Sequence, residues 1–160
     1  AIDRAIARHT GGVDPAEREQ LRRYLESALL PEISETGFWA RLRESDRCYV
    51  EEPLDGVIRV GEPGLAVELG GQADIVSVDD SGVWRIDDLK VTLTPLDDSL
   101  RRRYELQAAA YAWALGRQPS VETVTTSVTT VGAETASWTV ETGEEKFKTA
   151  LERLYDLRWE

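Results

Sequence analysis

The sequence predicts an α/β or α+β sandwich, a mixed central sheet flanked by helices, from three observations. Helical spacing opens and closes the chain. A group of short apolar runs punctuated by Gly, Pro and Asp fills residues 48–91, and a further helix separates that group from the β-branched run Val121–Thr130. With 160 residues, 41% of them hydrophobic, the chain has the size of one domain that can bury a core without disulfides.

Taken in order, residues 2–8 resemble the last turns of a helix, closed by His9, Gly11 and Gly12. Asp14-Pro15 then supplies an N-cap and a proline at the first helical position, and Leu21, Tyr24, Leu25, Ala28 and Leu29 follow at helical spacing up to Pro31. A short helix after Ser34 is expected to bury Phe38, Trp39 and Leu42. Cys48–Leu54, Val57–Val60, Leu65–Leu69, Ala73–Val78 and Val83–Val91 are expected as separate strands. A helix follows from about Asp98 to Leu115, with Gly116 at its C′ position, then the strand Val121–Thr130 and a hairpin partner Ser137–Val140. The last helix places Phe147, Leu151, Leu154 and Tyr155 on one face.

Composition narrows the function. Asp and Glu number 30 against 19 Lys and Arg, a net charge of -11. Only Lys90, Lys146 and Lys148 are lysines, the other basic residues being arginine. An acidic, lysine-poor surface is expected of a halophilic protein; the alternative is an acidic mesophilic protein from a GC-rich gene. The usual charge rule sets such a chain against nucleic acid, but in molar salt the screening length falls to about 3 Å and the rule loses force. Cys48 is the single cysteine, which excludes disulfides within the chain, a multi-cysteine zinc site and a cysteine-ligated iron–sulfur cluster. No apolar stretch approaches the roughly 18 residues of a membrane span and no signal peptide opens the chain, so a cytoplasmic location is expected.

The chemistry concentrates in Gly71–Val78 and Trp84–Lys90. Asp80-Ser81-Gly82 suits a three-residue hairpin loop with glycine in the left-handed position. That loop pairs Val78 with Trp84, Val76 with Ile86 and Asp74 with Asp88, and strand alternation puts these pairs and Lys90 on one face. Like charges directly opposite each other destabilise a sheet. A divalent cation, Mg²⁺ or Mn²⁺, would hold them, since it takes hard oxygen ligands, and Lys90 would position water or offset phosphate charge. The alternative is a solvated strand end where Lys90 bridges two aspartates. A one-residue slip would put Asp87, rather than Asp88, opposite Asp74.

These residues carry a resemblance. Gly71–Asp74 followed by Asp88-Leu89-Lys90 and then by Gln107-Ala108-Ala109-Ala110-Tyr111 resembles the G-x-x-D, D-x-K and Q-x-x-x-Y motifs of the RecB-like branch of the PD-(D/E)xK nucleases. Glu51-Glu52-Pro53-Leu54 is similar to that branch's E-x-P-[FL] strand. The likeness runs from about residue 50 to 116, and the flanking elements fit the family's order.

The resemblance implies a restriction-endonuclease-like α/β fold over residues 1–160 and a Mg²⁺- or Mn²⁺-dependent deoxyribonuclease. It implies Asp74 and Asp88 as metal ligands, joined by the Leu89 carbonyl, and Lys90 as the catalytic lysine. Gln107 and Tyr111, on one helical face with Tyr104, would approach the site and the DNA backbone, and the two tyrosines have a second reading as core aromatics. Glu51 would be an acid behind the ligands, or an exposed edge residue. Where many members place a metal-binding histidine in the first helix, this chain has Asp3, which keeps a hard oxygen ligand. His9 lies six residues later at the helix end, where a cap or a solvated residue is the other reading. Val91 stands where the family often has threonine, with Thr92 one place on.

Such domains sit at the C-terminus of UvrD/Rep-type helicases or in helicase–nuclease repair complexes. A start at Ala1 and the lack of methionine agree with a fragment of such a chain. The expected partners are DNA and a helicase domain. The alternative is a nuclease-fold module without chemistry that guides DNA, with Arg101, Arg102 and Arg103 on phosphates rather than on a solvated helix start. A purely structural α/β protein is the third possibility.

Overall fold

Asp14 starts the first helix, its side chain accepting from the Ala16 N–H at 2.7 Å with Pro15 in the first turn. The computed structural model describes residues 14–61 and 64–159, with side chains through Leu154. The expected helix over residues 2–8, with Asp3 and His9, lies outside the described residues, as does the Tyr155 side chain.

Helix α1 (Pro15–Tyr24) passes through a π-helical turn, Leu25–Leu29, into α2 (Leu30–Glu35). Pro31 is therefore not the stop the sequence suggests. In the π turn the Leu30 N–H reaches back to the Leu25 carbonyl, which widens the helix where proline has no N–H to give. The break comes at Gly37, in the left-handed region at φ 74°, before α3 (Phe38–Arg43).

The expected short strands fuse. Cys48–Leu54 and Val57–Val60 form one strand, β1 (Arg47–Val60), and Leu65–Leu69 and Ala73–Val78 form β2 (Leu65–Val78). The two pair antiparallel from Arg47↔Val78 to Val60↔Leu65. The punctuating residues are tolerated for identifiable reasons. Pro53 lies on an edge strand, where a missing N–H need not break a ladder. Gly56 and Gly71 lie under aromatic rings: a Cβ on Gly56 would stand 2.7 Å from the Trp113 ring, and one on Gly71 2.7 Å from the Tyr111 ring.

Asp79-Asp80-Ser81-Gly82 turns into β3 (Trp84–Thr92), with Gly82 at φ 78° as the loop demands. The chain crosses over through α4 (Asp98–Gly116) to β4 (Val124–Gly132), parallel to β3, and returns in β5 (Ala136–Val140) and α5 (Glu144–Trp159). Asp97 caps α4, accepting from the Leu100 N–H at 2.7 Å. Gly116 is the last helical residue rather than a left-handed C′ glycine. Arg117 closes the helix in the right-handed conformation with its guanidinium over the Trp113 ring, 5.2 Å from the centroid.

The sheet order is β1-β2-β3-β4-β5, mixed as expected. Leu29, Ile33 and Phe38 from the N-terminal helices pack with Val131, Ile75 and Leu89 on one face. On the other, α4 and α5 bring Tyr111, Trp113, Leu115 and Phe147 against Leu54, Ile58, Val76 and Ile86. Phe147 is buried and Leu151 partly so, but Leu154 is 44% exposed, so the apolar stripe of α5 is narrower than its spacing suggests. Among the described residues no helix is long and apolar enough to cross a membrane.

Candidate active site

The hairpin register is the one that its loop dictates: Val78↔Trp84, Val76↔Ile86 and, between their neighbours, Ile75↔Asp87. Asp87 thus faces the N-terminal helices, buried and ion-paired with Arg41 at 2.8 Å. Continued by one residue, the register sets Asp74 opposite Asp88, but ladder pairing stops there. The Asp74 carboxylate instead accepts from the Leu89 N–H at 2.8 Å, replacing the strand backbone with a side chain.

The cause is a kink shared by β1 and β2. Tyr49 and Val76 lie on the α4 face, and so do Leu54 and Ala73, although strict alternation would send the latter pair to the opposite side. Both strands therefore shift their alternation between these points, so their mutual register is kept. The shift centres on Glu51 and Asp74, the facing positions that do not pair. Glu51 holds φ 56°, a left-handed conformation costly for a residue other than glycine, and the Gln72 side chain donates to its carbonyl at 2.8 Å. In extended backbone the N–H and C=O of one residue project to the same edge. The Leu89 carbonyl consequently faces the same opening as its N–H, beside Asp74.

Asp88 is 1% exposed and accepts from the Lys90 ammonium at 2.8 Å through Oδ1. Its Oδ2 is buried with no hydrogen-bond partner. Burial pushes the Asp88 carboxyl above its ordinary pKa; Lys90 opposes this by hydrogen bond and charge, and the nearby Asp74 adds to the rise. An orphaned carboxylate oxygen next to a second carboxylate and a backbone carbonyl is a hard-oxygen donor set that suits Mg²⁺ or Mn²⁺. Among the described residues no group of three His, Cys, Asp or Glu side chains converges, so Asp74 and Asp88 make a two-carboxylate set there.

Helix α4 covers this corner. The Lys90 ammonium lies 5.8 Å from the Tyr104 ring centroid. Gln107 donates to the Tyr111 hydroxyl at 2.9 Å, and Tyr111, 9% exposed, packs on Gly71 at the approach to Asp74. Of the expected substrate-contacting residues, Tyr104 thus adjoins the lysine and the Gln107–Tyr111 pair adjoins the β2 kink. Arg102 lies apart from them, exposed in a groove along α4.

Two features have no counterpart in the sequence reading. Thr130, wholly buried, pairs with Lys90 in the parallel β3/β4 register, and its hydroxyl has no partner. It supplies a hydroxyl beside the lysine, and alternation along Val121–Thr130 could have flagged hydroxyls on the Val128 face. The Arg41–Asp87 pair fixes the neighbour of Asp88 to α3, a contact over long sequence separation that no local pattern reveals.

The family comparison agrees with this architecture. A model of the PD-(D/E)XK nuclease superfamily matches residues 2–158. The solved structure of SSO0001 superposes with a TM-score of 0.47 at 17% identity, over 96% of this chain and 70% of that one. A candidate exonuclease from Eubacterium rectale gives 0.44 at 18% identity, over 78% of this chain and 46% of its own. No curated protein matches the chain in sequence.

Proposed function

Because this chain belongs to the PD-(D/E)XK nuclease superfamily, we propose that it is a metal-dependent deoxyribonuclease domain of the RecB-like branch. In this reading residues 1–160 form one domain of a larger chain with a UvrD/Rep-type helicase, acting in DNA repair and recombination in the cytoplasm. The acidic, lysine-poor composition supports a high-salt setting. The observation that carries the activity is the buried, unpartnered Asp88 Oδ2 beside Asp74 and Lys90.

Asp74, Asp88 and the Leu89 carbonyl would hold Mg²⁺ or Mn²⁺, with Asp3 as a further oxygen ligand. When bound, the ion supplies Lewis-acid stabilisation of the charge that builds on the phosphate. The chain's own groups do the rest. Lys90, released from Asp88, offers its ammonium to the attacking water or to a phosphate oxygen. In the hydrolysis the water gives up a proton to solvent as its oxygen bonds to phosphorus, one phosphorus–oxygen ester bond breaks and the leaving alkoxide takes up a proton from solvent. Gln107 and Tyr111, already joined, present an amide and a phenol to the DNA backbone, and Tyr104 screens the lysine from bulk water.

Calorimetric titration of Mn²⁺ in molar salt, with Asp88→Ala as control, tests the ligand set; binding is expected in the parent chain and its loss in the variant. Asp74→Ala and Lys90→Ala should each lower cleavage of single- or double-stranded DNA by at least a hundredfold. Cleavage that survives either change would falsify the assignment of these residues. DNA binding without metal-dependent cleavage would instead favour the module that guides DNA.

A further inference from the structure

A groove of about 1210 Å³ runs between α4, β5 and α5, larger than the roughly 300–1,000 Å³ of most small-molecule clefts. Its wall carries Arg101, Arg102 and Arg103 from α4 and Lys146 and Arg153 from α5, against the acidic Asp98, Glu105 and Glu141. This local excess of cations sits on a chain of net charge -11. Arg101 pairs with Glu105 and Lys146 with Glu141. Arg102, Arg103 and Arg153 have no ion-pair partner among the described residues. In a protein with 30 carboxylate side chains, leaving three arginines of one groove without a carboxylate partner favours an anionic occupant. Helix stability does not explain Arg102 and Arg103, because cations in the first turns of α4 oppose its dipole.

The floor is aromatic. The Arg101 guanidinium lies over the Trp138 ring, 4.7 Å from its centroid. Trp138 and Tyr104 both pack against the buried cluster of Ala108, Val128 and Val140, and Tyr104 is the ring beside Lys90. The groove and the candidate active site therefore flank one shared apolar cluster. We propose that it is a binding track for a single nucleic-acid strand, in which Arg102, Arg103 and Arg153 take successive phosphates and the Arg101–Trp138 pair supports a base. A half-buried ring is reached by a splayed base, whereas a duplex keeps its bases stacked inside. The identity of the anion as a nucleic acid rests on the nuclease reading; the groove and its unpaired charges do not.

The test is fluorescence anisotropy of a labelled oligothymidylate in excess EDTA, which removes hydrolysis from the measurement. The parent chain should bind, with log Kd rising linearly with log salt concentration. Arg102→Ala/Arg153→Ala, a change of two exposed side chains, should weaken binding at least tenfold and lower the salt slope by about 1.4, or about 0.7 for each phosphate lost. Trp138→Leu should weaken it about fivefold or more without altering that slope. Arg43→Ala, a change of an exposed arginine of α3 outside the groove, should bind as the parent does. Equal affinity and slope in the double arginine variant would overturn the track, and so would tighter binding of duplex or displacement of the strand by stoichiometric polyglutamate. Strand binding without metal-dependent cleavage in the parent would leave the track standing and remove the nuclease reading. Cleavage with unchanged binding in the arginine variant would do the reverse.

Discussion

Asp88 combines deep burial with a carboxylate oxygen that nothing satisfies, and its stability effect has a definite sign. Its folded-state pKa is raised, so between the ordinary carboxylate value of about 4 and that raised value the folded protein holds more protons than the unfolded chain. Stability of the metal-free protein should therefore fall as pH increases through that window. Asp88→Asn removes the charge while keeping an acceptor for Lys90. It should stabilise the metal-free protein at pH 7 by on the order of 1 kcal/mol and flatten this part of the profile. Melting curves in EDTA from about pH 4 to pH 8 measure both effects. An identical profile in the variant would mean that Lys90 fully offsets the burial of the charge. Asp74, Asp88 and Lys90 were legible as neighbours in the sequence because one loop sets the hairpin register. The Leu89 N–H bond to Asp74 was not, since it depends on β2 leaving the ladder at the kink.

The long strands β1 and β2 show how helix packing overrides local punctuation. Gly-Gly at 70–71 and Asp-Gly at 55–56 read as breaks, yet both lie within continuous strands. Gly71 and Gly56 are needed because Tyr111 and Trp113 of α4 press on the backbone there. Gly71→Ala should destabilise the fold by about 1–3 kcal/mol, because the new methyl meets a ring that is held in place by Gln107 and by burial. The Gly71→Ala/Tyr111→Leu double variant should recover part of that loss, giving a coupling energy of about 1 kcal/mol in a denaturation cycle. Additive losses would show that the glycine answers to backbone freedom and not to the ring. Element identity was largely readable: the helix N-cap at Asp14 and the β-branched strand stand where local chemistry puts them. Boundaries failed at Pro31 and Gly116, where a π turn and an Arg117–Trp113 contact change what those residues do.

Over the entire chain the dominant electrostatic fact is self-repulsion from a net charge of -11. Raising salt from about 0.1 M to about 1 M shortens the screening length from roughly 10 Å to 3 Å and relieves that repulsion. The melting temperature should rise over this range in KCl, by several degrees, whereas a protein held chiefly by surface ion pairs would lose stability. Strand binding in the groove should weaken over the same range, because its contacts are charge pairs exposed to solvent. The two salt dependences have opposite signs, so one titration series separates them.

The sequence alone carried the element types, the hairpin register and the gathering of two aspartates and a lysine at one strand end, because each follows from interactions over a few residues or from alternation along a strand. Distant packing set the rest. The kink at Glu51 and Asp74, the burial that orphans Asp88 Oδ2, the Thr130 hydroxyl next to Lys90 and the unpaired arginines in the groove that Trp138 lines all depend on which strands and helices meet. Desolvation and unsatisfied hydrogen bonds are properties of an environment assembled from far along the chain, and no local pattern of residues encodes them.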